Sequence, residues 1–194
     1  MSKIIGIDIG GTYIKSGIVV TPPEVMEFNS LPTTSDTLIS HLLKLISDNN
    51  VDAAGIGVPG FVHQGIIHSS PNLPGTSNLD ILGELQKELP IPITVGNDAN
   101  MFAVGEWQYG AGKGVHNLLL ITLGTGVGGG LILDDKLYTG TGFAGEVGHI
   151  IIDPNGPPCS CGSYGCLESY ISSYAIIQRA VQGIKIGLKI ALYL

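Results

Sequence analysis

The sequence predicts an α/β fold with two lobes, and a repeated unit carries this prediction. A strand-turn-strand unit with a glycine-rich tip occurs at residues 4–20 and again at residues 118–133. Each unit is predicted to be a β-hairpin that opens a segment of strands and helices. We therefore expect a first α/β lobe over residues 1–112 and a second over residues 113–194.

The individual elements follow from hydrophobic periodicity and from turn residues. The first hairpin has strands at 4–9 and 13–20 around Gly10-Gly11-Thr12, and the second has strands at 118–123 and 127–133 around Gly124-Thr125-Gly126. Between them we expect a helix over 37–47, a buried strand over 53–58, a proline-rich loop at 71–75, a helix over 79–88, a strand over 93–95 and a helix over 99–109. An amphipathic helix over 168–182 should follow, with Ile171, Tyr174, Ile177 and Ala180 on one face.

Composition argues against several classes of function. Only 13% of the 194 residues are charged, the net charge is −7, and no cluster of lysine or arginine is present, which argues against nucleic-acid binding. Residues 117–133 form the longest stretch without a charged residue or histidine, but their glycines indicate two strands and a turn rather than a membrane span. The first residues lack the pattern of a signal peptide, so we expect a cytoplasmic protein that uses cysteine to bind metal.

All three cysteines of the chain lie near one histidine in the sequence. The candidate ligands are His149, Cys159, Cys161 and Cys166. Three thiolates and an imidazole make the tetrahedral ligand set of a structural zinc site. The alternatives are three ordinary buried cysteines, or one disulfide and a free thiol. We predict zinc, and because Glu146 and Glu168 flank these ligands, we expect the ion to shape a neighbouring pocket.

The two glycine tips are candidate sites for the phosphate groups of a nucleotide. Backbone N–H groups in such turns can face phosphate oxygens without an intervening side chain. The segment from Gly124 to Gly129 also matches the dinucleotide-binding fingerprint, but a strand rather than a helix follows it. The P-loop motif is absent from the sequence. The alternative is a pair of tight turns without a ligand.

An amide and a carboxylate follow the predicted strand at 93–95, in the segment Gly96-Asn97-Asp98-Ala99-Asn100. Open α/β sheets place their ligands at the carboxyl ends of strands. Asp98 is therefore a candidate general base, which would accept the proton of a hydroxyl group that attacks a phosphoryl group. Alternatively, Asp98 or Asn100 caps the N-terminus of the following helix.

Two further polar residues accompany these motifs. Asp8 faces the first glycine tip and is a candidate to orient Mg²⁺ or its waters, whereas the alternative is an aspartate that initiates a turn. Asn72 lies in a stiff loop between two prolines. Its amide can donate to and accept from a polyhydroxylated ligand, or it can serve only as a turn residue.

Together these motifs resemble the ROK family of sugar kinases and sugar-responsive repressors. The matching segments are 8–12, 57–60, 71–75, 96–100, 123–130, 144–149 and the cysteine loop that ends at Glu168, in the family's order. The resemblance implies the two-lobed actin/hexokinase-like ATPase fold, with a ribonuclease H-like motif in each lobe. It also implies a glucokinase-like transfer of the γ-phosphoryl group of ATP to a hexose hydroxyl, with the 6-hydroxyl of glucose as the first candidate.

The resemblance further implies a role for each motif residue. Asp98 is the implied catalytic base, and the implied sugar-binding residues are Asn72, Asn97, Asp98, Glu146, His149 and Glu168. The implied zinc ligands are His149, Cys159, Cys161 and Cys166, with the histidine using its two nitrogens for the two roles. The implied binding residues for the ATP phosphates with Mg²⁺ are Asp8, Gly10, Gly11, Thr12, Gly124, Thr125 and Gly126. The expected partners are a hexose and ATP, with no nucleic acid and no membrane, and the expected assembly is a homodimer.

Two features depart from the family pattern. Tyr13 stands where the family usually has lysine, so a charge contribution to phosphate binding is lost or passes to Lys15. The chain is also shorter than typical members, so we expect a truncated second lobe and an incomplete adenine pocket. Family repressors carry a helix-turn-helix before the first hairpin, which begins at residue 4 here, and this favours a kinase. The alternatives are a non-catalytic sugar sensor and an inactive sugar-binding remnant.

Overall fold

A five-stranded mixed sheet forms the centre of the structure, a computed structural model that describes residues 2–20 and 24–187. The strands of this sheet are β1 (Lys3–Ile9), β2 (Tyr13–Val20), β3 (Glu24–Pro32), β4 (Ala53–Val58) and β8 (Ile93–Asn97). Their order is β3-β2-β1-β4-β8, in which β1, β4 and β8 are parallel and β2 is antiparallel to both of its neighbours. The carboxyl ends of β1, β4 and β8 therefore meet at one edge of the sheet.

Two helices accompany this sheet and help to form its core. They are α1 (Leu38–Asn49) and α2 (Ile81–Gln86). In α1 the buried residues Leu38, Leu42 and Ile46 recur every four positions, which places them on one face of the helix. They share one buried cluster with alternate residues of β1, whose side chains at positions 5, 7 and 9 point to the same side of the sheet.

The second predicted hairpin forms a separate three-stranded sheet. Its strands are β9 (Leu118–Leu123), β10 (Val127–Leu133) and β11 (Lys136–Leu137), in the order β11-β10-β9. Helix α3 (Asp98–Tyr109) packs on β10, and glycine permits the close approach. A Cβ atom at Gly130 would lie 2.4 Å from the Cβ atom of Ala103, and one at Gly128 would lie 3.1 Å from that of Ala99. Some glycines of this segment therefore serve helix packing rather than a turn.

A small third sheet was not predicted from the sequence. It contains β5 (Phe61–His63), β6 (Ile66–Ser69) and β7 (Leu79–Asp80), in that order. Strands β5 and β6 are joined by Gln64 and Gly65, which have φ angles of 51° and 81°. Such a two-residue turn with positive φ matches the right-handed twist of paired strands, and its glycine is the signal that could have revealed it. Strands β3 and β11 were also missed.

The predicted single helix over 168–182 is wrong in its continuity. The structure has a short helix α4 (Glu168–Ile171) and a separate helix α5 (Ser173–Lys185). Ser172 between them is extended, with φ −63° and ψ 153°, and its side chain caps α5 by accepting a hydrogen bond from Ala175 N–H at 3.2 Å. The predicted shared face is also largely exposed, since Tyr174 is 66% and Ile177 is 58% exposed.

The predicted lobe boundary falls in the turn that joins α3 to β9. The division at residues 112 and 113 stays a prediction, and its last residues, 188–194, lie outside the described part of the chain. Within residues 2–20 and 24–187, none of the helices is both long enough and apolar enough to cross a membrane.

Candidate functional site

One cleft of about 390 Å³ collects most of the residues that the sequence indicates as functional. Both glycine tips, the carboxyl end of β8 and the start of α3 contribute to it. The indicated residues that line it are Gly10, Gly11, Asn72, Asn97, Asp98, Gly124, Thr125, Gly126, Glu146, His149 and Glu168. Asp8 and Thr12 are not among the lining residues, and the three cysteines are grouped around His149 instead.

Asp98 lies at the junction of β8 and α3, where it lines the cleft. Its Oδ1 accepts a hydrogen bond from Ala99 N–H at 2.8 Å, and no hydrogen bond from another described residue reaches its Oδ2. Burial raises the pKa of Asp98, the bond from Ala99 lowers it, and the negative charge of Asp8 raises it further, with a net rise. A partly desolvated carboxylate with one free oxygen can accept a proton from a hydroxyl group in the cleft.

The N-cap of α3 is Asn97, so the alternative that Asp98 or Asn100 caps this helix is wrong. The Oδ1 of Asn97 accepts a hydrogen bond from Asn100 N–H at 3.0 Å, and its Nδ2 donates to the carbonyl of Gly60 at 3.1 Å. These bonds fix the amide of Asn97 while leaving one N–H of Nδ2 for a ligand. Asp98 is the first residue of the helix, where the positive end of the helix dipole favours its charged form.

The first glycine tip presents unpaired backbone donors. Gly10 N–H donates to the carbonyl of Tyr13 at 2.9 Å, and the carbonyl of Gly10 accepts from Thr33 Oγ1 at 2.7 Å. Within the described residues, the N–H groups of Gly11 and Thr12 have no hydrogen-bond acceptor. Consecutive free N–H groups of this kind form an anion-binding concavity. Tyr13, at the position where lysine was expected, is 51% exposed and does not line the cleft.

The second glycine tip has the same property. Gly124 N–H donates to the carbonyl of Gly126 at 3.0 Å, whereas the N–H groups of Thr125 and Gly126 have no acceptor in the part of the chain that the structure describes. The two tips line the same cleft. The structure thus brings together two separate sets of free N–H donors, which the sequence predicted as a site for phosphate groups.

An acidic group lies on the side of the second tip. Glu146 Oε2 is 4.0 Å from Nε2 of His149. Burial raises the pKa of Glu146; the charge of His149 lowers it, whereas the charges of Asp98 and Glu168 raise it, and the net effect is a rise. Asp98 and Glu168 are therefore close enough to Glu146 for their charges to act on it. Carboxylates and an imidazole arranged in this way can bind several hydroxyl groups of one sugar.

His149 joins the cleft to the three cysteines. Its Nε2 faces Glu146, and its Nδ1 lies 3.6 Å from Sγ of Cys159. The four predicted ligand atoms lie within 4.8 Å of one another. The Sγ atoms of Cys161 and Cys166 are 3.7 Å apart, too far for a disulfide, and all three thiols are free.

The separations of 3.6 Å and 3.7 Å match the edges of a tetrahedral site. Bond lengths of about 2.3 Å to sulfur and about 2.0–2.1 Å to nitrogen require edges of about 3.8 Å between sulfurs and about 3.6 Å between sulfur and nitrogen. Burial alone would raise the pKa of Cys159, but hydrogen bonds from Cys161, His149 and Cys166 outweigh it and lower the pKa to about 6. Burial and these neighbouring thiols raise the pKa of Cys166 to about 12. A bound cation would compensate the charge of three thiolates at this position.

Asn72 lies against the first glycine tip. A Cβ atom at Gly11 would be 3.0 Å from the carbonyl oxygen of Asn72, so glycine is needed for this close contact. The loop that contains Asn72 is held by a backbone hydrogen bond, since Leu73 N–H donates to the carbonyl of Ser70 at 3.1 Å. The Asn72 side chain itself is exposed toward the cleft.

Two serines that sequence reasoning missed also shape the site. Ser173 donates from both N–H and Oγ to the carbonyl of Gly124, at 2.9 and 2.7 Å. Ser160 Oγ donates to Oε1 of Glu168 at 2.9 Å. A pair of serines before an apolar periodic segment is a helix-start signal that could have revealed Ser172 and Ser173. No local pattern indicates Ser160, because it lies in a loop and its partner Glu168 is eight residues further along, at the start of α4.

Comparisons with known sequences agree with these motifs. The ROK family model matches residues 4–190. The chain is 36% identical to a glucokinase of Thermotoga maritima, over 94% of this chain and 61% of the relative. It is also 36% identical to the xylose repressor of Bacillus subtilis, over 90% of this chain and 49% of that relative. The chain spans about three fifths of the length of the curated glucokinases it matches.

Solved structures share its fold. A ROK family glucokinase from Streptomyces griseus, in complex with glucose and AMPPNP, has a TM-score of 0.82 at 34% identity and covers 96% of this chain, which in turn covers 62% of that chain. A ROK family transcriptional regulator homologous to the E. coli MLC protein has a TM-score of 0.87 at 31% identity, with 96% of this chain and 51% of that chain covered. The family match and these structures show that the chain belongs to the ROK family and has the predicted actin/hexokinase-like α/β fold.

Proposed function

We propose that this chain carries the reaction centre of an ATP-dependent hexose kinase, with glucose as the first candidate acceptor. The observation that carries the proposal is the position of Asp98 in a cleft whose walls include two glycine tips with free N–H donors. A kinase needs a proton acceptor for the attacking hydroxyl group and fixed donors for the phosphoryl oxygens. The S. griseus glucokinase, which was solved with glucose and AMPPNP, supports this assignment by its similarity.

In the proposed reaction, the sugar hydroxyl donates its proton to the free Oδ2 of Asp98 as its oxygen forms a bond to the γ-phosphorus. The bond between the γ-phosphorus and the β,γ-bridging oxygen breaks, and ADP leaves with the electron pair of that bond. The N–H groups of the two tips stabilise the negative charge of the transferred group, because fixed donors need no reorganisation during the reaction. Mg²⁺, when bound with ATP, neutralises phosphate charge, and Asp8 is the residue that we propose to orient it or its waters. Asn72, Asn97, Glu146, His149 and Glu168 hold the other sugar hydroxyls.

We also propose that His149 and the three cysteines hold a structural zinc ion. The distances and the free thiols described above fit such an ion. Such an ion would stabilise the fold of the loop, and four protein ligands would leave it no open coordination position for the reaction. The histidine would then bind zinc through Nδ1, which fixes its ring so that Nε2 faces the cleft beside Glu146.

A sugar-responsive regulator is the second candidate, because the chain matches the xylose repressor of B. subtilis at the same identity as the T. maritima glucokinase. Both functions use a sugar site, so sugar binding alone does not distinguish them. A kinase also needs a proton acceptor and hydrogen-bond donors for the phosphate oxygens. Asp98 would be the proton acceptor, and the free N–H groups of the two glycine tips would be the donors. The expected homodimer accompanies either function and is tested by light scattering during size-exclusion chromatography.

The deciding experiment measures ADP release by the purified chain with ATP, Mg²⁺ and a panel of hexoses and N-acetylhexosamines. We expect ADP release that depends on glucose and that Asp98→Asn reduces by about 10² to 10⁴-fold, whereas the glucose Kd changes little. The matched control is Asp36→Asn, which changes an exposed aspartate outside the cleft and should keep the parent rate. Glucose binding without ADP release would contradict the kinase and favour the regulator.

A further inference from the structure

The carboxylate of Glu168 connects two parts of the chain that are distant in sequence. Its Oε2 accepts a hydrogen bond from Val127 N–H at 2.8 Å, and its Oε1 accepts one from Ser160 Oγ at 2.9 Å. Val127 is the first residue of β10, directly after the second glycine tip. Ser160 lies between two of the clustered cysteines. One side chain therefore links the cysteine loop to the glycine tip.

The shape of the glycine tip depends on this link. A Cβ atom at Gly126 would lie 2.6 Å from Oε2 of Glu168, so the carboxylate is packed directly against the tip. On the other side, the carbonyl of Gly124 is held by Ser173 N–H and Oγ. The tip is thus fixed at both ends, and its two free N–H groups at Thr125 and Gly126 lie between these fixed points. Movement of Glu168 would change the directions of those donors.

The two bonds to Glu168 differ in what they can control. Val127 N–H belongs to a strand and cannot move without the sheet, whereas the hydroxyl of Ser160 belongs to an exposed loop residue. A carboxylate held at one oxygen can rotate about that contact, and a second hydrogen bond to its other oxygen removes this freedom. Hydrogen bonds to a charged acceptor are also stronger than those between neutral groups. Ser160 is therefore the contact that fixes the orientation of Glu168.

We propose that Ser160 is a positioning residue that fixes Glu168 and so couples the sugar side of the cleft to the phosphate-binding tip. The coupling rests on the proposed function, in which Glu168 binds a sugar hydroxyl and the tip binds phosphate oxygens. A sugar that holds Glu168 in place also holds the tip in its binding shape, so each ligand increases the affinity for the other. Loss of the Ser160 hydroxyl weakens both effects without removing a group that touches either ligand.

The test compares Ser160→Ala with a matched control at Ser169, a residue of α4 whose hydroxyl also bonds to the cysteine loop. Ser169 Oγ donates to the carbonyl of Pro158 at 3.2 Å and not to the carboxylate of Glu168, so Ser169→Ala removes a similar hydroxyl without removing either hydrogen bond of the link. Ser160→Thr retains a hydroxyl and should restore it. All three variants are made in the full chain, and zinc content and melting temperature are measured first to show that the loop is intact.

The first readout is the backbone amide of Val127, followed by NMR chemical shift and hydrogen exchange without any ligand. We expect Ser160→Ala to shift this resonance and speed its exchange severalfold, because its acceptor becomes mobile, whereas Ser169→Ala leaves it unchanged. An unchanged Val127 amide in Ser160→Ala would overturn the proposal. This measurement does not depend on sugar binding or phosphoryl transfer, so it tests the link even if the kinase assignment fails.

The second readout is ligand binding by calorimetry, with glucose and with MgAMPPNP, each alone and in the presence of the other. We expect Ser160→Ala to raise the glucose Kd about 3- to 10-fold, as for the loss of one hydrogen bond. The factor by which each ligand increases the affinity for the other should fall close to one. Ser160→Thr should recover most of both values, and Ser169→Ala should match the parent chain. Equal effects of Ser160→Ala and Ser169→Ala would show a general loop defect and would overturn the positioning role.

Discussion

Replacement of Gly130 by alanine tests how closely α3 packs on β10, and thereby what holds Asp98 in the cleft. The new Cβ atom would lie 2.4 Å from the Cβ atom of Ala103 and 3.0 Å from the carbonyl oxygen of Ala99. Ordinary contacts between such carbon atoms are about 3.5–4.0 Å, so the helix would have to move away from the strand by more than about 1 Å. Because Asp98 is the first residue of α3, this movement also shifts the proposed proton acceptor.

The magnitude follows from two opposing terms. Overpacking of this kind costs about 1–3 kcal/mol, and replacing glycine in a strand gains about 0.5–1 kcal/mol because the unfolded chain loses freedom. Gly55→Ala provides the matched control, since Gly55 lies in β4 and a Cβ atom there would meet nothing within 4 Å. The entropy gain is common to both variants, so the free energies of unfolding should differ by about 1–3 kcal/mol, with Gly130→Ala the less stable.

Urea unfolding of both variants measures this difference, and the ADP-release assay measures its effect on the site. We expect Gly130→Ala to lower kcat, whereas Gly55→Ala keeps it. The double variant Gly130→Ala/Ala103→Gly removes the clashing methyl group and should recover part of the stability, although glycine in a helix costs about 1 kcal/mol. Equal stability of Gly130→Ala and Gly55→Ala would refute the packing argument and would mean that α3 is not held by this contact.

Three further predictions concern charge, metal and closure. Burial raises the pKa of Asp98, so the folded chain binds this proton more readily than the unfolded chain, and stability falls as pH rises through the raised pKa. Asp98→Asn should therefore raise the melting temperature above neutral pH, but not at a pH below 3.8, the ordinary pKa of aspartate. Equal shifts of the melting temperature at both pH values would contradict this. The kcat/KM of the parent chain should also fall as pH drops through the raised pKa of Asp98. Elemental analysis of protein purified without chelator should find about one zinc per chain. Cys161→Ser should raise the sugar KM, because loss of a zinc ligand misorients His149. Absence of zinc or an unchanged KM would exclude a role of zinc in orienting His149. If glucose closes the cleft, saturating glucose should make the chain more compact in small-angle scattering. ATP hydrolysis without sugar should also be far slower than sugar phosphorylation, because the closed cleft excludes water. No compaction together with equal rates of the two reactions would favour a rigid binding module.

The sequence alone was sufficient for features that depend on local chain geometry. Both glycine tips, the strands around them and the boundaries of α1 and α3 agree with the structure to within two residues, because period and turn residues specify them directly. The grouping of His149 with three cysteines was also predictable, since short spacing and glycines limit where the sulfur atoms can lie. The ROK resemblance was confirmed by the family match.

Only the tertiary structure decided which polar groups remain free for a ligand. Asn97 rather than Asp98 caps α3, and this choice depends on the carbonyl of Gly60, which is distant in sequence. The break at Ser172 depends on the anchoring of Ser173 to Gly124, which periodicity in the last helix does not reveal. The link from Ser160 through Glu168 to Val127 joins residues up to 41 positions apart. Such contacts form only after distant segments fold together. Turns and residue spacing, in contrast, depend on neighbours in the chain. For this reason the sequence determined the turns and the spacing, whereas only the fold could decide the long-range contacts.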